Sequence, residues 1–192
     1  PRPSEEFYDN FKDFHNIDNQ IEDPLHQSKI RELKKELRRQ QLTYFDSGLM
    51  PEEMRNRIIK EKKTTVYELV RDPNLYPLDK YLDYSDLALS RKKQNLKRLT
   101  SGLPDDDPVI RYWSVVGLLL LEKQAKPAIP NLKKTLDDQD EIPALAAWAI
   151  YKAGSENFAT KWMLDKILEN PENKMLANVL DWMGKESFSI LD

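Results

Sequence analysis

Two stretches of the chain echo each other 32 residues apart, and this echo limits the possible folds more than any other feature. Ile110, Ser114, Gly117 and Leu118 correspond to Ile142, Ala146, Ala149 and Ile150, and Leu132 and Leu136 correspond to Leu164 and Leu168. Each unit reads as a helix rich in small residues, a turn, and an amphipathic helix. One such pair cannot bury its apolar face alone, so the pattern calls for stacked pairs, an α-solenoid. Small residues at 114, 117, 146, 147 and 149 would let neighbouring helices approach closely. A third, less regular unit is expected from Pro171, with Leu176, Val179 and Leu180 inward.

Composition agrees with helices. Only 5 glycines occur in 192 residues, and an interior glycine weakens a helix. The 12 prolines are placed as punctuation: Asp23-Pro24, Asp72-Pro73, Asp107-Pro108 and Asn170-Pro171 each set a capping side chain before a residue suited to the first helical position. At least three of these are expected to start helices. From Pro24 onward, Ile30, Leu33, Leu37 and Tyr44 share one helical face, and Gly48 is expected to end that helix. A second helix is expected from Pro51 to about Lys63, short helices and turns over 64–86, and one helix over 85–99 with Leu89, Leu96 and Leu99 inward. The longest apolar run, residues 112–121, is well short of the ~20 residues of a membrane span and reads as a buried helix. Residues 1–6 contain no apolar run of the signal-peptide kind.

The repeat resembles the HEAT family, whose first helix opens with an acidic turn, then Val-Arg, then small residues. Asp107-Pro108-Val109-Ile110-Arg111, Ser114 and Gly117-Leu118 follow that order. In the second unit Pro143 stands where the family has Arg, while Asp140 and Ala146-Ala147-Trp148-Ala149-Ile150 keep the remainder. The opening of the chain carries a different motif: Glu6-Phe7-Tyr8-Asp9, Asp13, His15-Asn16-Ile17, Asn19 and Asp23-Pro24. It resembles the terminal segment of sulfatases of the alkaline phosphatase superfamily, in particular sulfamidase-like bacterial members, which read Glu-Leu-Tyr-Asp, Asp-Pro and Glu-x-x-Asn-Leu. The chain departs at Phe7, Phe14, Asn16 and Gln20, where the family has Leu, Pro, Glu and Leu. Phe45-Asp46-Ser47-Gly48-Leu49-Met50-Pro51-Glu52 is similar to the Asp-x-Gly-x-x-Pro-Glu segment of that subgroup. The first resemblance covers about residues 85–183, the second about 5–55.

The sulfatase resemblance implies that Phe7 and Tyr8 lie on the last strand of a small sheet packed against a catalytic α/β domain. Such a strand needs partners for its backbone groups, and no second convincing strand is present. Residues 1–22 are therefore expected to be poorly ordered alone or to pair with another copy. The tail residues implied to contact the catalytic domain are Glu6, Phe7, Tyr8, Asp9, Asp13 and Asn19.

The family's chemistry has no counterpart here. Its formylglycine arises from Cys or Ser in a Cys/Ser-x-Pro-Ser-Arg setting, and its Ca²⁺ is held by Asp and Asn ligands far upstream of the tail; both are expected in a catalytic domain and neither in this chain. No cysteine is present. His15 and His26 lie in no ligand-type spacing and read as a loop residue and a solvent-facing residue of a first helical turn. Asp105-Asp106-Asp107 and Asp137-Asp138-Asp140 lack the alternating ligands and glycine of an EF-hand, and read as caps favoured at helix N-termini. The basic clusters at 29–39, 55–63 and 91–98 are interleaved with aliphatic residues and read as solvated helix faces; no aromatic residues alternate with them for nucleic-acid stacking. Trp113, Trp148, Trp162 and Trp182 fit core packing better than a sugar platform. A net charge of −3 gives no pull toward nucleic acid or anionic membrane.

The expected organisation is an all-α chain: a sulfatase tail over 1–23, a helical connector over 24–84 and HEAT-like repeats over 85–192. The expected role is that of a non-catalytic C-terminal fragment of a sulfatase acting on sulfate esters or sulfamates of glycans. Its partners would be its own catalytic domain or another copy, not nucleic acid or membrane, and the family implies a periplasmic or secreted location. A free-standing HEAT-like scaffold that binds other proteins is the alternative, followed by a nucleic-acid-binding repeat.

Overall fold

A computed structural model describes residue 3 and residues 5–188, with side chains described through 184; the outermost positions of the 1–23 and 85–192 segments lie outside the described residues. Helices account for the regular structure: α1 (Gln27–Tyr44), α2 (Glu52–Lys62), α3 (Val66–Leu69), α4 (Leu78–Leu89), α5 (Leu96–Gly102), α6 (Pro108–Leu121), α7 (Ile129–Leu132), α8 (Ile142–Lys152), α9 (Glu156–Glu169) and α10 (Lys174–Phe188). No strand occurs among the described residues. The short α7 is continuous with 3-10 turns at Glu122–Ala128 and Lys133–Asp137, so 122–137 forms one irregular helical rod. Pro127 and Pro130 withdraw two N–H donors from it, which tightens the local winding.

Helix α6 packs against α4 on one side and α8 on the other, and α8 also meets α10. Helix α5 packs on α6, the 122–137 rod on both α6 and α8, and α9 on α8. The first helix of each echoed unit is buried as the pattern requires: Ile110, Ser114, Leu118, Ile142, Ala146, Ala149 and Ile150 are all inaccessible to solvent. Gly117 marks a close approach. A Cβ there would lie 2.5 and 2.9 Å from the two Leu99 methyls and 3.1 Å from the Ala88 backbone.

The second helices follow the echo only once. Leu132 and Leu136 are buried, whereas Leu164 and Leu168 are exposed and Ala159 and Met163 take the inward places. Met163 precedes Leu164 by one residue, a rotation of about 100° around the helix. A further pair precedes the echoed ones. Leu78, Leu82 and Ser85 of α4 are buried 32 residues before Ile110, Ser114 and Gly117, and Leu99 and Leu103 are buried beside them. Helix α4 therefore runs straight through the 84/85 division drawn from the sequence.

The single helix expected over 85–99 is two helices. Arg91 adopts φ +52°, and Asn95 Nδ2 donates to the Leu87 carbonyl (3.1 Å) and to Ser90 Oγ (2.7 Å), stabilising the break. Leu89 is exposed as a result. Of the Asp/Asn-Pro steps, only Asp107 caps a helix whose first residue is the proline, accepting from the Val109 N–H at 2.9 Å. Asp23 and Asp72 accept from the N–H two residues on (2.8 Å each) and make turns, while α10 begins three residues after Pro171 and is capped by Asn173. Phe45, at φ +57°, ends α1 in the place expected for Gly48. Along α1 only Ile30 is buried; Leu33, Leu37 and Tyr44 face solvent.

Candidate functional site

The tail-motif residues fold into a clasp. Asn19 Oδ1 accepts from the backbone N–H of Phe7 (2.9 Å) and of Ile21 (3.2 Å), and the Gln20 N–H donates to the Phe7 carbonyl (2.8 Å). The backbone of Phe7 is thus satisfied within its own segment, without a sheet and without a second copy. Asp13 Oδ2 accepts from the Asp18 N–H (2.8 Å), and the Asp9 carbonyl accepts from Lys12 and Asp13 (2.9 and 2.8 Å). Glu6 and Tyr8 are half-buried. The clasp is fixed to α1 by the Phe7 ring against His26 (centroids 5.2 Å apart), by Gln27 Nε2 on the Ile21 carbonyl (2.8 Å) and by Lys34 on Glu5 (2.6 Å). Asn19, Asp13 and Asp9 hold backbone turns and converge on no common point. Around them Phe11, Phe14, Ile17 and Leu25 stand in solvent, continuous in sequence with the exposed apolar residues of α1.

A second constellation forms where the helix pairs turn. Arg111 grips Asp138 with two hydrogen bonds (2.6 and 2.9 Å), and its remaining amine donates to the carbonyls of Asp105 (2.8 Å) and Asp106 (3.0 Å). One guanidinium thereby ties the turn before α6 to the turn before α8. Pro143 removes the corresponding arginine from the next unit, and α2 supplies a replacement. Arg57 binds Asp140 through two nitrogens (3.0 and 2.8 Å) and also meets Glu61 (3.1 Å). Hydrogen bonds to Asp138 and Asp140 push the two guanidinium pKa values up, so both arginines stay charged at any pH of interest. Beside them Glu141 has one carboxylate oxygen buried without a partner. Burial, reinforced by the carboxylates of Glu53 and Asp140, raises its pKa.

A cavity of about 850 Å³, open to solvent, lies between α5 and the 122–137 rod. Leu96, Leu103, Pro104 and Pro127 make its walls largely apolar, and the Arg111–Asp138 pair sits at one end. Lys97 and Lys134 reach it from its two sides, with the Asn131 amide between helical turns on the rod side. A smaller cavity of about 380 Å³ on the far side of Asp138 is lined by Pro143, Trp162 and Lys166 among others.

His15 and His26 do not meet each other: the first stacks edge-on to Phe14 and the second lies on Phe7. No group of three or more His, Asp or Glu side chains suited to a metal ion occurs among the described residues, and no helix among them is long and apolar enough to cross a membrane. Within the basic clusters, Arg38 is held by Asp79 (2.6 Å), Asp83 (2.7 Å) and Asp86 (3.4 Å) of α4, and Arg39 by Glu36 (2.6 Å). Trp113 Nε1 donates to the Leu49 carbonyl (2.9 Å), fastening the α1–α2 link to α6. Trp148 and Trp182 pack together with centroids 5.2 Å apart. Arg57 and Lys97 fall in the basic clusters read from the sequence as solvated helix faces, and Asn131 and Lys134 were not singled out. The missing Arg at 143 was the one available signal for Arg57.

Comparison with known proteins gives no match: no family model, no curated protein and no solved structure.

Proposed function

We propose that the chain is a non-catalytic C-terminal part of a sulfatase, a tail clasp followed by helix pairs arranged as a HEAT-like solenoid. The observation that carries this reading is the union of the Glu6-to-Pro24 motif with an α1 whose apolar stripe, Leu33, Leu37 and Tyr44, has no cover. Exposed apolar surface of this extent is the mark of an interaction site. A catalytic domain preceding the clasp is the natural cover, with Glu6, Phe7, Tyr8, Asp9, Asp13 and Asn19 shaping the chain where the two meet. Formylglycine and Ca²⁺ belong to that domain, as does hydrolysis of sulfate esters or sulfamates. The helix pairs would brace it, border access to a sulfated glycan, or join two copies, in the periplasm or outside the cell.

The test is the reading frame upstream of Pro1. An in-frame Cys/Ser-x-Pro-Ser-Arg segment, and turnover of 4-nitrophenyl sulfate by the extended polypeptide but not by the 192-residue chain, are the expected results. A frame that opens with an unrelated domain would remove the sulfatase reading. It would leave the second one, a free-standing helical scaffold, which the 850 Å³ cavity favours independently.

A further inference from the structure

We infer that the cavity between α5 and the 122–137 rod is a binding groove for an extended peptide carrying an acidic residue between aliphatic ones. Charge complementarity supports this choice of occupant. Lys97 and Lys134 line the groove, and neither forms an ion pair among the described residues, in contrast to Arg38, Arg57 and Arg111. The one other cation at the groove, Arg111, is already neutralised by Asp138. Asp137 also lines the groove but lies within the field of Lys166 as well, so two unpaired ammonium groups share the groove with one carboxylate besides Asp138. An incoming Asp or Glu side chain would complete both lysines.

The remaining lining fits a polypeptide backbone and aliphatic side chains. Leu96, Leu103, Pro104 and Pro127 offer a surface without polar atoms for aliphatic side chains. The Asn131 side-chain amide makes no hydrogen bond among the described residues and presents a donor and an acceptor, the pair needed by a peptide unit. The Thr100 hydroxyl donates to the Leu96 carbonyl (2.7 Å) and the Ser101 hydroxyl to that of Arg98 (2.8 Å), which leaves both oxygens free to accept from a peptide N–H. Among the described residues no aromatic ring lines the groove, so they offer no stacking surface for a pyranose or a nucleobase there. Concave, mostly apolar sites with a few placed polar groups are the usual form of a recognition pocket.

This inference does not depend on the sulfatase reading: an unrelated upstream frame would leave it standing. Random seven-residue peptides displayed on phage would be selected on the immobilised 192-residue chain. The expected outcome is enrichment of sequences with Asp or Glu flanked by Leu, Ile or Val. A synthetic peptide from that set should bind the K97E/K134E variant at least about tenfold more weakly, and the K123E/K126E variant, which makes the same charge change outside the groove, as well as the parent chain. Circular dichroism of both variants controls for folding. No enrichment over bare support, enriched peptides without acidic residues, or equal binding to K97E/K134E would each overturn the proposal. So would binding of a heparin-derived sulfated disaccharide that depends on Lys97 and Lys134 when no peptide is selected.

Discussion

Helices α1 and α6 both carry apolar residues at helical spacing, few in the charged α1 and many in α6, and they end in opposite situations. In α6 the stripe is enclosed by α4, α5 and α8, and Val109, Ile110, Val115 and Leu118 lose all contact with solvent. In α1 the stripe has Ile30 buried, but Leu33 and Leu37 keep 46% and 57% of their surface exposed, and Tyr44 keeps 76%. What holds α1 to the body is chiefly polar: Arg38 on the Asp79, Asp83 and Asp86 row of α4. Exposed ion pairs contribute little, about 0–1 kcal/mol each, whereas a fully buried aliphatic side chain contributes about 1.5–3 kcal/mol. The difference teaches that α4 to α10 form a self-supporting body, while the clasp and α1 are an arm lightly attached to it. Helix α2, pinned by Met54 and by Arg57 on Asp140, stands between the two regimes.

Substitutions should separate the regions sharply. Ile150→Ala removes a side chain with no exposed surface and is expected to cost about 4 kcal/mol in urea unfolding. Gly117→Val should cost about 3 kcal/mol, because one of the atoms it meets, the Ala88 Cα, is backbone and cannot turn aside. Arg57→Ala should cost about 2 kcal/mol by leaving the nearly buried Asp140 without its partner. A second change, Asp140→Asn, should then cost less in that background than in the parent chain. If instead Arg57→Ala is silent, α2 belongs with the arm and not with the body.

Glu141 gives a pH handle on the same junction. Its carboxyl is raised above the usual 4.5 by burial, with Glu53 and Asp140 adding to the effect, so the folded chain holds this proton more tightly than the unfolded chain. Below 4.5 both states are protonated and the group is neutral to stability. As the pH rises through 4.5 towards the raised folded value, the penalty of ionising it in place grows, and above that value it is full. Glu141→Gln should therefore raise Tm at neutral pH and give no gain at pH well below 4.5. The smallest effect is expected on the arm: Leu37→Ser should change stability in urea unfolding by no more than about 0.5 kcal/mol.

The helical class was legible because few glycines interrupt the chain and its aliphatic residues recur at helical spacing. Positions 110, 114, 117 and 118 and their echoes were legible because a packed helix face tolerates only small or aliphatic residues. Leu164 and Leu168 misled, since the same spacing is kept when α9 turns by one residue and inserts Met163. The α4–α5 pair was hidden because Leu82 and Asp86 stand where later units have a small residue and an aliphatic one, and because the Ser90–Lys92 break has no glycine or proline to announce it. The motif residues Phe7, Asp13 and Asn19 were visible, but their part in closing a clasp was not, because side-chain-to-backbone bonds spanning twelve residues leave no periodic trace. Arg57 and Asp140 are 83 residues apart, and the walls of the 850 Å³ groove come from separate helices, so neither site exists until the chain is folded.

Hydrogen–deuterium exchange of the intact 192-residue chain, read peptide by peptide at neutral pH, tests the division into body and arm most directly. Amides of α6 and α8 should exchange only through global unfolding, and those of α1 and the 5–26 clasp far faster, through local opening. Exchange of α1 as slow as that of α6 would contradict the account, because it would mean that the exposed stripe is already held as firmly as the buried one.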